Sequence, residues 1–281
     1  MTKTRHSTAK PSKKTRKPSQ AERADRHVLY QKAVQDTGFE FDFVDTTFKR
    51  LRGRRARLLR EDFCGTAAMC CEWVRQRRDN RAIGVDLDPD VLTWGREHNL
   101  AELTPAQRRR VQLIEGNVLA VAPEPVDLLL AMNFSYQCFK DRATLRRYFE
   151  RARAGLVDDG VLIMDAFGGY DAYREMTERT DHKKFTYIWD QHHYDPVTGH
   201  MTCHIHFAFP DGSKMKNAFS YEWRLWSLPE LQELLYEAGF QRVIVYWQGT
   251  EEETNEGNGV FAPAEHGDAD PAWICFISAE K

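Results

Sequence analysis

Apolar positions follow two different spacings between residues 57 and 167, and the two spacings alternate along the chain. Unbroken apolar runs such as Val126–Asn133 and Val161–Phe167 are typical of strands that are buried on both faces. Between such runs, apolar residues recur every three or four positions, as in Thr66–Arg77 and Ala143–Leu156, which predicts amphipathic helices. Strands that alternate with helices predict βαβ crossovers and a parallel sheet.

The same criteria extend the prediction to the rest of this region and to both ends of the chain. Further strands are predicted at Arg57–Phe63, Arg81–Asp88, Val111–Asn117, Arg242–Trp247 and Pro271–Ala279. Further helices are predicted at Ala21–Gln35, Phe41–Leu51, Pro89–Asn99 and Leu228–Ala238.

Residues 184–226 follow another pattern, with three aromatic-rich segments separated by Asp-Pro-Val-Thr-Gly and Pro-Asp-Gly-Ser. Both separators are strong turn signals, so this region is predicted to be an antiparallel meander inserted into the α/β fold. We expect one domain over residues 21–281. It would consist of N-terminal helices (21–52), a core (55–168), the insertion (184–226) and a C-terminal helix with strands (227–281).

Composition restricts the class of protein and its location. Hydrophobic residues make up 42% and charged residues 29%, with no apolar run approaching the length of about 18 residues that a membrane span requires. The six cysteines form no Cys-x-x-Cys pair, and no secretory signal is seen. We therefore expect a soluble, cytoplasmic protein that does not interact with membranes.

Charge is unevenly distributed. Residues 1–20 carry seven Lys or Arg and no acid, so the remainder carries a net charge of −9 against −2 for the whole chain. This basic segment has few apolar residues and is predicted to be disordered. It is either a solvated leader or an arm for nucleic acid, since Lys and Arg neutralise phosphates.

A candidate nucleoside site stands between the first strand and the following helix, at Glu61-Asp-Phe-Cys-Gly-Thr-Ala67. Gly65 permits a tight turn close to a ligand, and Asp86 lies 21 residues further on, at the end of the next strand. An acid at this distance can accept hydrogen bonds from ribose hydroxyls. The spacing therefore fits an adenosine-containing ligand.

These residues resemble the first motif of class I S-adenosylmethionine-dependent methyltransferases, Asp-x-Gly-x-Gly-x-Gly. Cys64-Gly65-Thr66 matches its centre, whereas Glu61, Phe63 and Ala67 replace the acid and the outer glycines. Further similar segments follow in the family's order: Gly84-Val85-Asp86-Leu87-Asp88, Glu115-Gly116-Asn117-Val118, and the predicted fourth strand ending at Asn133. A nicotinamide-binding Rossmann domain is the nearest competitor, but it requires Gly-x-Gly-x-x-Gly.

The resemblance covers roughly residues 55–168 and 226–280. It implies a Rossmann-like, seven-stranded, mostly parallel sheet with helices on both faces, and S-adenosyl-L-methionine as cofactor. It also implies a set of cofactor-binding residues: Glu61, Phe63, Cys64, Gly65, Thr66, Ala67, Asp86, Leu87, Asn117, Val118, Asn133 and Phe134.

Candidate catalytic residues come from two places. Asn133-Phe-Ser-Tyr136 follows the fourth strand and resembles the Asn-Pro-Pro-Tyr signature of adenine amino-methyltransferases, which makes Tyr136 a candidate. In the insertion, Met201, Cys203, Ile205 and Phe207 are predicted on one face of a strand, and His200, Thr202, His204 and His206 on the other.

Antiparallel counting from Tyr194 opposite His200 places His192 opposite Thr202 and Asp190 opposite His204. Three interpretations of this face stay open. It is a solvated surface, or Asp190 orients His204 as a general base, or His192, His204, His206 and Cys203 bind a metal. Cys203 points to the opposite face and the spacing is not of zinc type, so no metal is predicted.

The sequence thus predicts a methyltransferase that acts on a small-molecule nitrogen or oxygen acceptor by in-line displacement. The alternatives are an RNA-directed methyltransferase anchored by the basic tail, and a non-catalytic binding module that kept the fold. The oligomeric state is not predicted.

Overall fold

The computed structural model describes residues 16–251, 253 and 257–281. Its elements are α1 (Gln20–Arg23), α2 (Arg26–Ala33), α3 (Thr37–Arg52), β1 (Leu58–Asp62), α4 (Ala68–Gln76), β2 (Arg81–Asp86), α5 (Pro89–Glu97), α6 (Pro105–Arg108), β3 (Val111–Glu115), β4 (Val126–Ala131), α7 (Arg142–Ala154), β5 (Leu156–Gly168), β6 (Met176–His182), β7 (Phe185–Tyr194), β8 (His200–Ala208), β9 (Lys214–Arg224), α8 (Leu228–Glu237), β10 (Arg242–Thr250), β11 (Gly257–Ala264) and β12 (Trp273–Glu280). Residues 1–15 of the predicted tail lie outside the described residues, and Gln20 begins α1.

The central sheet has the strand order β11-β10-β12-β5-β4-β1-β2-β3. Five neighbouring strands, β5, β4, β1, β2 and β3, run parallel to one another. Strand β12 is antiparallel to both of its neighbours, β10 and β5. The predicted count of seven strands is wrong, because β11 adds an eighth at the edge beside β10. Most β11 residues are exposed, so the strand carries no hydrophobic pattern that could have revealed it.

Two apolar layers cover the parallel strands, as their unbroken apolar sequences predicted. In β4, Leu129 and Ala131 pack against α7 and α8, whereas Leu128 and Leu130 pack against α3 and α4. All four residues are fully buried. Both faces of the strand are therefore core, which explains why its sequence does not alternate between apolar and polar residues.

The N-terminal segment contains two helices where one was predicted at Ala21–Gln35. The break falls at Asp25, whose side chain accepts hydrogen bonds from the backbone N–H groups of His27 and Val28 and so caps α2. The segment is tied to the distant β8–β9 turn, since the Gln20 N–H donates to Asp211 Oδ2 at 2.8 Å. None of the helices in the described part of the chain has the length and apolar composition to cross a bilayer.

The insertion is a second, antiparallel sheet of the order β6-β7-β8-β9, with four strands where three were predicted. The additional strand β6 is mostly exposed and polar, so it gave no strand signal. The predicted faces of β8 are confirmed, because its residues from Met201 to Phe207 alternate between buried and half-buried.

The strand register of the insertion is partly as predicted. Asp190 does pair with His204, but the pairs beyond a shift after Gln191 are His193 with Thr202 and Tyr194 with Met201. The predicted pairing of His192 with Thr202 is wrong, because a bulge leaves one extra residue on β7 that simple counting cannot anticipate.

Candidate functional site

A cleft of about 520 Å³ opens where the carboxyl ends of β1, β2 and β4 meet, which is the edge where ligands bind in open α/β sheets. We call it the main cleft. Helix α2 and strand β9 also contribute residues to its lining. Its lining comprises Arg26, His27, Tyr30, Gln35, Glu61 to Thr66, Asp86, Asp88, Val91, Met132, Asn133, Ser135 and Asn217 to Tyr221.

The loop after β1 follows the backbone path of a glycine-rich turn with a single glycine. Phe63, Gly65 and Ala67 have φ values of 59°, 52° and 58°, all in the left-handed region. They occupy the three glycine positions of the motif that this loop resembles. A side chain in that region costs roughly 1–3 kcal/mol, and the Phe63 ring packs on Phe139 and Tyr148. Phe63 and Ala67, which stand in place of glycines, therefore adopt the left-handed backbone of a glycine-rich loop, at a cost in strain energy.

Asp86 joins this loop to the end of β2. Its Oδ2 accepts from the Gly65 N–H at 2.7 Å, and its Oδ1 accepts from the Asp88 N–H at 3.0 Å. The Cys64 N–H also donates to the carbonyl of Val85 at 3.0 Å. A carboxylate has about four lone-pair sites, so Asp86 holds the loop and keeps acceptor capacity for ligand hydroxyls.

Glu61 places a buried carboxyl group in the main cleft. Its side chain is bonded by the N–H of Cys70 at 3.3 Å and the thiol of Cys70 at 3.1 Å. Burial raises the pKa of Glu61 to about 7, and the nearby charges of Asp86 and Asp62 act in the same direction. The group is thus ready to ionise against a cationic ligand.

Asp62, the next residue, also lines the main cleft, but its carboxylate is bonded to a buried arginine. Its carboxylate forms a salt bridge of 2.7 Å with Arg60, and both side chains are almost completely buried. The Tyr148 hydroxyl donates to it at 3.1 Å. Burial raises the pKa of Asp62 to about 6, while Arg60 opposes this shift. The adjacent acids on β1 therefore have different partners, Cys70 for Glu61 and Arg60 for Asp62, because side chains alternate along a strand.

The loop after β4 is bound to a carboxylate on β5. Asn133 and Phe134 are both left-handed, each with φ of 57°. Their N–H groups donate to the two carboxylate oxygens of Asp165, each at 2.8 Å. Burial raises the pKa of Asp165 to about 7, while these two hydrogen bonds lower it. Sequence analysis did not single out Asp165, although it stands out as an acid within a buried apolar strand.

A second space, which we call the aromatic cavity, has a volume of about 300 Å³ and lies between the two sheets. Its lining includes four aromatic rings, two carboxyl groups and two amides: Phe134, Phe167, Trp189, Trp273, Asp171, Glu178, Gln191 and Gln248. Because Phe134 lines this cavity while Asn133 and Ser135 line the main cleft, the loop after β4 is a wall common to both spaces.

The structure separates the predicted cofactor-binding residues into four groups. Those that line the main cleft are Glu61, Phe63, Cys64, Gly65, Thr66, Asp86 and Asn133. Phe134 lines the aromatic cavity, and Ala67 is fully buried at the start of α4. Leu87, Asn117 and Val118 follow β2 and β3 beside Asp86, outside the lining of the main cleft.

The predicted catalytic candidates lie elsewhere. Tyr136 is fully buried in the core, and its hydroxyl has no hydrogen-bond partner among the described residues. His204 Nδ1 is 2.8 Å from Ser220 Oγ, while the Asp190 carboxylate is 3.3 Å from His206 Nε2 and does not bond His204. None of the three candidates is part of the lining of either space.

The described residues contain no group of three or more His, Cys, Asp or Glu arranged as metal ligands. Cys203 is completely buried, on the face of β8 opposite to the histidines.

Residues from distant parts of the chain complete the main cleft, and sequence analysis missed them. They are Arg26, His27, Tyr30 and Gln35 from the N-terminal segment, and Phe219 from β9. Helix α2 is held over the loop by a hydrogen bond of 2.8 Å from Gln31 Nε2 to Thr66 Oγ1. The Trp94 indole donates to Asp25 Oδ2 at 2.7 Å. Contacts between segments so far apart in the sequence cannot be predicted from a local sequence pattern.

No protein-family model matches the sequence, and no curated protein matches it. Solved structures do match. An S-adenosylmethionine-dependent methyltransferase from Clostridium acetobutylicum is 15% identical, with a TM-score of 0.64 over 90% of this chain and 96% of that one. CalS10, an amino pentose methyltransferase from Micromonospora echinaspora solved with S-adenosylmethionine, is 14% identical, with a TM-score of 0.64 over 91% and 96%.

The glycopeptide N-methyltransferase MtfA, solved with S-adenosylmethionine, is 17% identical, with a TM-score of 0.55 over 88% of this chain and 95% of that one. These similarities extend over nearly the whole length of both partners, insertion included. The chain therefore has the class I, Rossmann-like fold of S-adenosylmethionine-dependent methyltransferases.

Proposed function

We propose that this chain transfers a methyl group from S-adenosylmethionine to a small molecule, with an amine as the favoured acceptor. The observation that carries the proposal is the common wall formed by Asn133, Phe134 and Ser135. A cofactor in the main cleft and an acceptor in the aromatic cavity would lie on opposite sides of this loop, and transfer would require the methyl group and the acceptor atom to come into contact past its edge. In-line transfer requires such adjacency, because much of the rate comes from alignment and exclusion of water.

The main cleft suits the cofactor by its chemistry. When bound, S-adenosylmethionine supplies an activated methyl group on a positively charged sulfur. In this proposal Asp86 accepts hydrogen bonds from the ribose hydroxyls. The loop from Phe63 to Ala67 allows the cofactor to approach the backbone closely, and the Glu61 carboxylate attracts the positively charged sulfur of the cofactor. The solved relatives named as cofactor complexes support this assignment.

The aromatic cavity suits an amine. Aromatic faces attract cations, and Trp189 and Trp273 stand beside the carboxyl groups of Asp171 and Glu178 in its lining. A volume of about 300 Å³ is at the lower end of the range for small-ligand sites. Several fold relatives are named as methyltransferases of amino sugars or of a glycopeptide nitrogen, which supports a nitrogen acceptor.

The test begins with calorimetric titration of the purified protein with S-adenosylmethionine and S-adenosylhomocysteine. Asp86→Ala should abolish binding, whereas Glu150→Ala, an exposed change on α7, should leave it intact. Methyl transfer from labelled cofactor is then compared for small amines, small alcohols and RNA. Transfer to RNA alone would favour the RNA-directed alternative, and absence of cofactor binding would favour the non-catalytic one.

A further inference from the structure

The loop common to both spaces has an unfavourable backbone. Asn133 and Phe134 are consecutive residues with side chains, and both have φ of 57°. Left-handed conformations are populated mainly by glycine, because a Cβ atom is crowded there. Two in succession persist only when the surroundings impose them. Something outside the loop must therefore hold it.

The carboxylate of Asp165 is the group that does so. Its Oδ2 accepts from the Asn133 N–H and its Oδ1 from the Phe134 N–H, each at 2.8 Å. Strand β5 continues past the end of β4, whose Ala131 pairs with Met164, so Asp165 comes next to the loop. Only 8% of Asp165 is exposed, so water competes little for these bonds.

The left-handed conformation of this loop directs the side chains of consecutive residues into different spaces. Asn133 and Ser135 line the main cleft, and Phe134 lines the aromatic cavity. The Phe134 ring packs against Phe167, with centroids 4.8 Å apart. Relaxation of the backbone at this point would displace the walls of both spaces together.

We propose that Asp165 is a positioning residue: it fixes the wall between the main cleft and the aromatic cavity, and thereby aligns donor and acceptor. This inference rests on the proposed function. Both hydrogen bonds are strongest when the carboxylate is ionised, since charge-assisted bonds are about twice as strong as neutral ones. Among the described residues, the titratable groups that interact with Asp165 are Tyr30, Glu40, Tyr136 and Cys275, and none of them is a cation that would neutralise its carboxylate.

A matched control exists on the same sheet. Asp127, at the amino end of β4, also accepts from two backbone N–H groups, those of Arg57 and Leu58, at 2.8 and 2.9 Å. It lies about 20 Å from the loop along the strand. Asp165→Asn and Asp127→Asn remove one negative charge each. They differ in that both N–H groups bond the same oxygen of Asp127, which an amide retains, and in that Asp127→Asn also breaks the ion pair with Arg54.

The cofactor affinity of both variants is measured by calorimetry with S-adenosylmethionine, beside their melting temperatures. At pH 7.5 the removal of a buried charge offsets part of the lost hydrogen bonding in Asp165→Asn, so its melting temperature should fall less than that of Asp127→Asn, which also loses the ion pair with Arg54. Asp165→Asn should bind the cofactor about tenfold more weakly, equivalent to about 1.4 kcal/mol, and Asp127→Asn within about twofold of the wild type. Equal losses of affinity would overturn the proposal and leave Asp165 a merely structural residue.

A second measurement needs no variant that might misfold. Amide NMR signals of Asn133 and Phe134 in the wild type should shift together with pH, with a midpoint near the Asp165 pKa of about 7. Signals that stay constant as the pH is lowered from 8.5 until the protein unfolds would contradict a bond between these amides and an Asp165 carboxylate that titrates in the folded protein. If the wild type binds no cofactor, the proposed function fails. If the wild type binds the cofactor and both variants lose the same amount of affinity, only the role of Asp165 is contradicted.

Discussion

Glu61→Gln is expected to make the free protein more stable and its cofactor binding weaker. Only 4% of Glu61 is exposed, and burial raises its pKa from 4.5 to about 7. The folded protein therefore prefers the protonated carboxyl group. This preference stabilises the fold fully below pH 4.5 and is lost as the pH rises through 7.

The magnitude follows from the two pKa values. Each pH unit between them is worth about 1.4 kcal/mol, so ionised Glu61 lowers the free energy of unfolding by about 3 kcal/mol above pH 7. Glutamine is neutral at every pH and keeps an oxygen to accept from Cys70. The variant should thus gain about 3 kcal/mol at pH 8 and about 1 kcal/mol or less at pH 5.

Cofactor affinity should change in the opposite direction. A cationic ligand favours ionised Glu61, so wild-type affinity should rise with pH up to about 7 and then level off. At pH 7.5, loss of a charged partner in a buried site should weaken binding by about 2 kcal/mol, or roughly thirtyfold. In the variant the pH dependence should be shallower, and what remains comes from the other buried acids nearby, Asp165 with a pKa of about 7 and Asp62 with a pKa of about 6.

Urea denaturation of the free protein and calorimetric titration with S-adenosylmethionine, each at pH 5.5, 6.5 and 7.5, test both parts. Glu150→Gln on the exposed face of α7 is the control and should change neither quantity. A variant that is less stable than the wild type at pH 7.5, or that binds the cofactor as tightly, would refute this account of Glu61.

Three further changes test the surroundings of the two spaces. Gly95→Ala places a Cβ atom 2.5 Å from the Thr66 carbonyl oxygen, so it should cost about 1–3 kcal/mol in urea denaturation and weaken cofactor binding by displacing the loop. Asp62→Asn leaves Arg60 buried without its charged partner and should cost about 3–5 kcal/mol, seen as a lower melting temperature. Glu178→Gln should raise the KM for an amine acceptor severalfold while the cofactor Kd, measured by calorimetry, stays unchanged; an unchanged KM would place the amine elsewhere.

The sequence alone determined the α/β core and the position of the main cleft. Strands buried on both faces must be apolar throughout, so β4 and β5 could be recognised from composition. Because the carboxyl ends of parallel strands meet at one edge, the spacing from Gly65 to Asp86 predicted that these residues lie together, as their 2.7 Å hydrogen bond confirms.

The sequence could not reveal elements that bury little surface. Strands β6 and β11 are mostly exposed, so their residues carry no hydrophobic period. The bulge at His192 changed the register of the hairpin beyond Gln191, and such bulges depend on how a strand packs rather than on its own residues.

Tertiary structure also decided which residues could act together. The backbone at Phe63 and Ala67 keeps a glycine-like path because packing supports strain that local preference opposes. Helix α2 and Tyr221 reach the main cleft from far along the chain, and Asp165 holds the loop at Asn133 from a neighbouring strand. Periodicity and motif spacing report only what each segment prefers by itself. Contacts between distant segments arise when the whole chain packs, and those contacts built the wall between the two spaces.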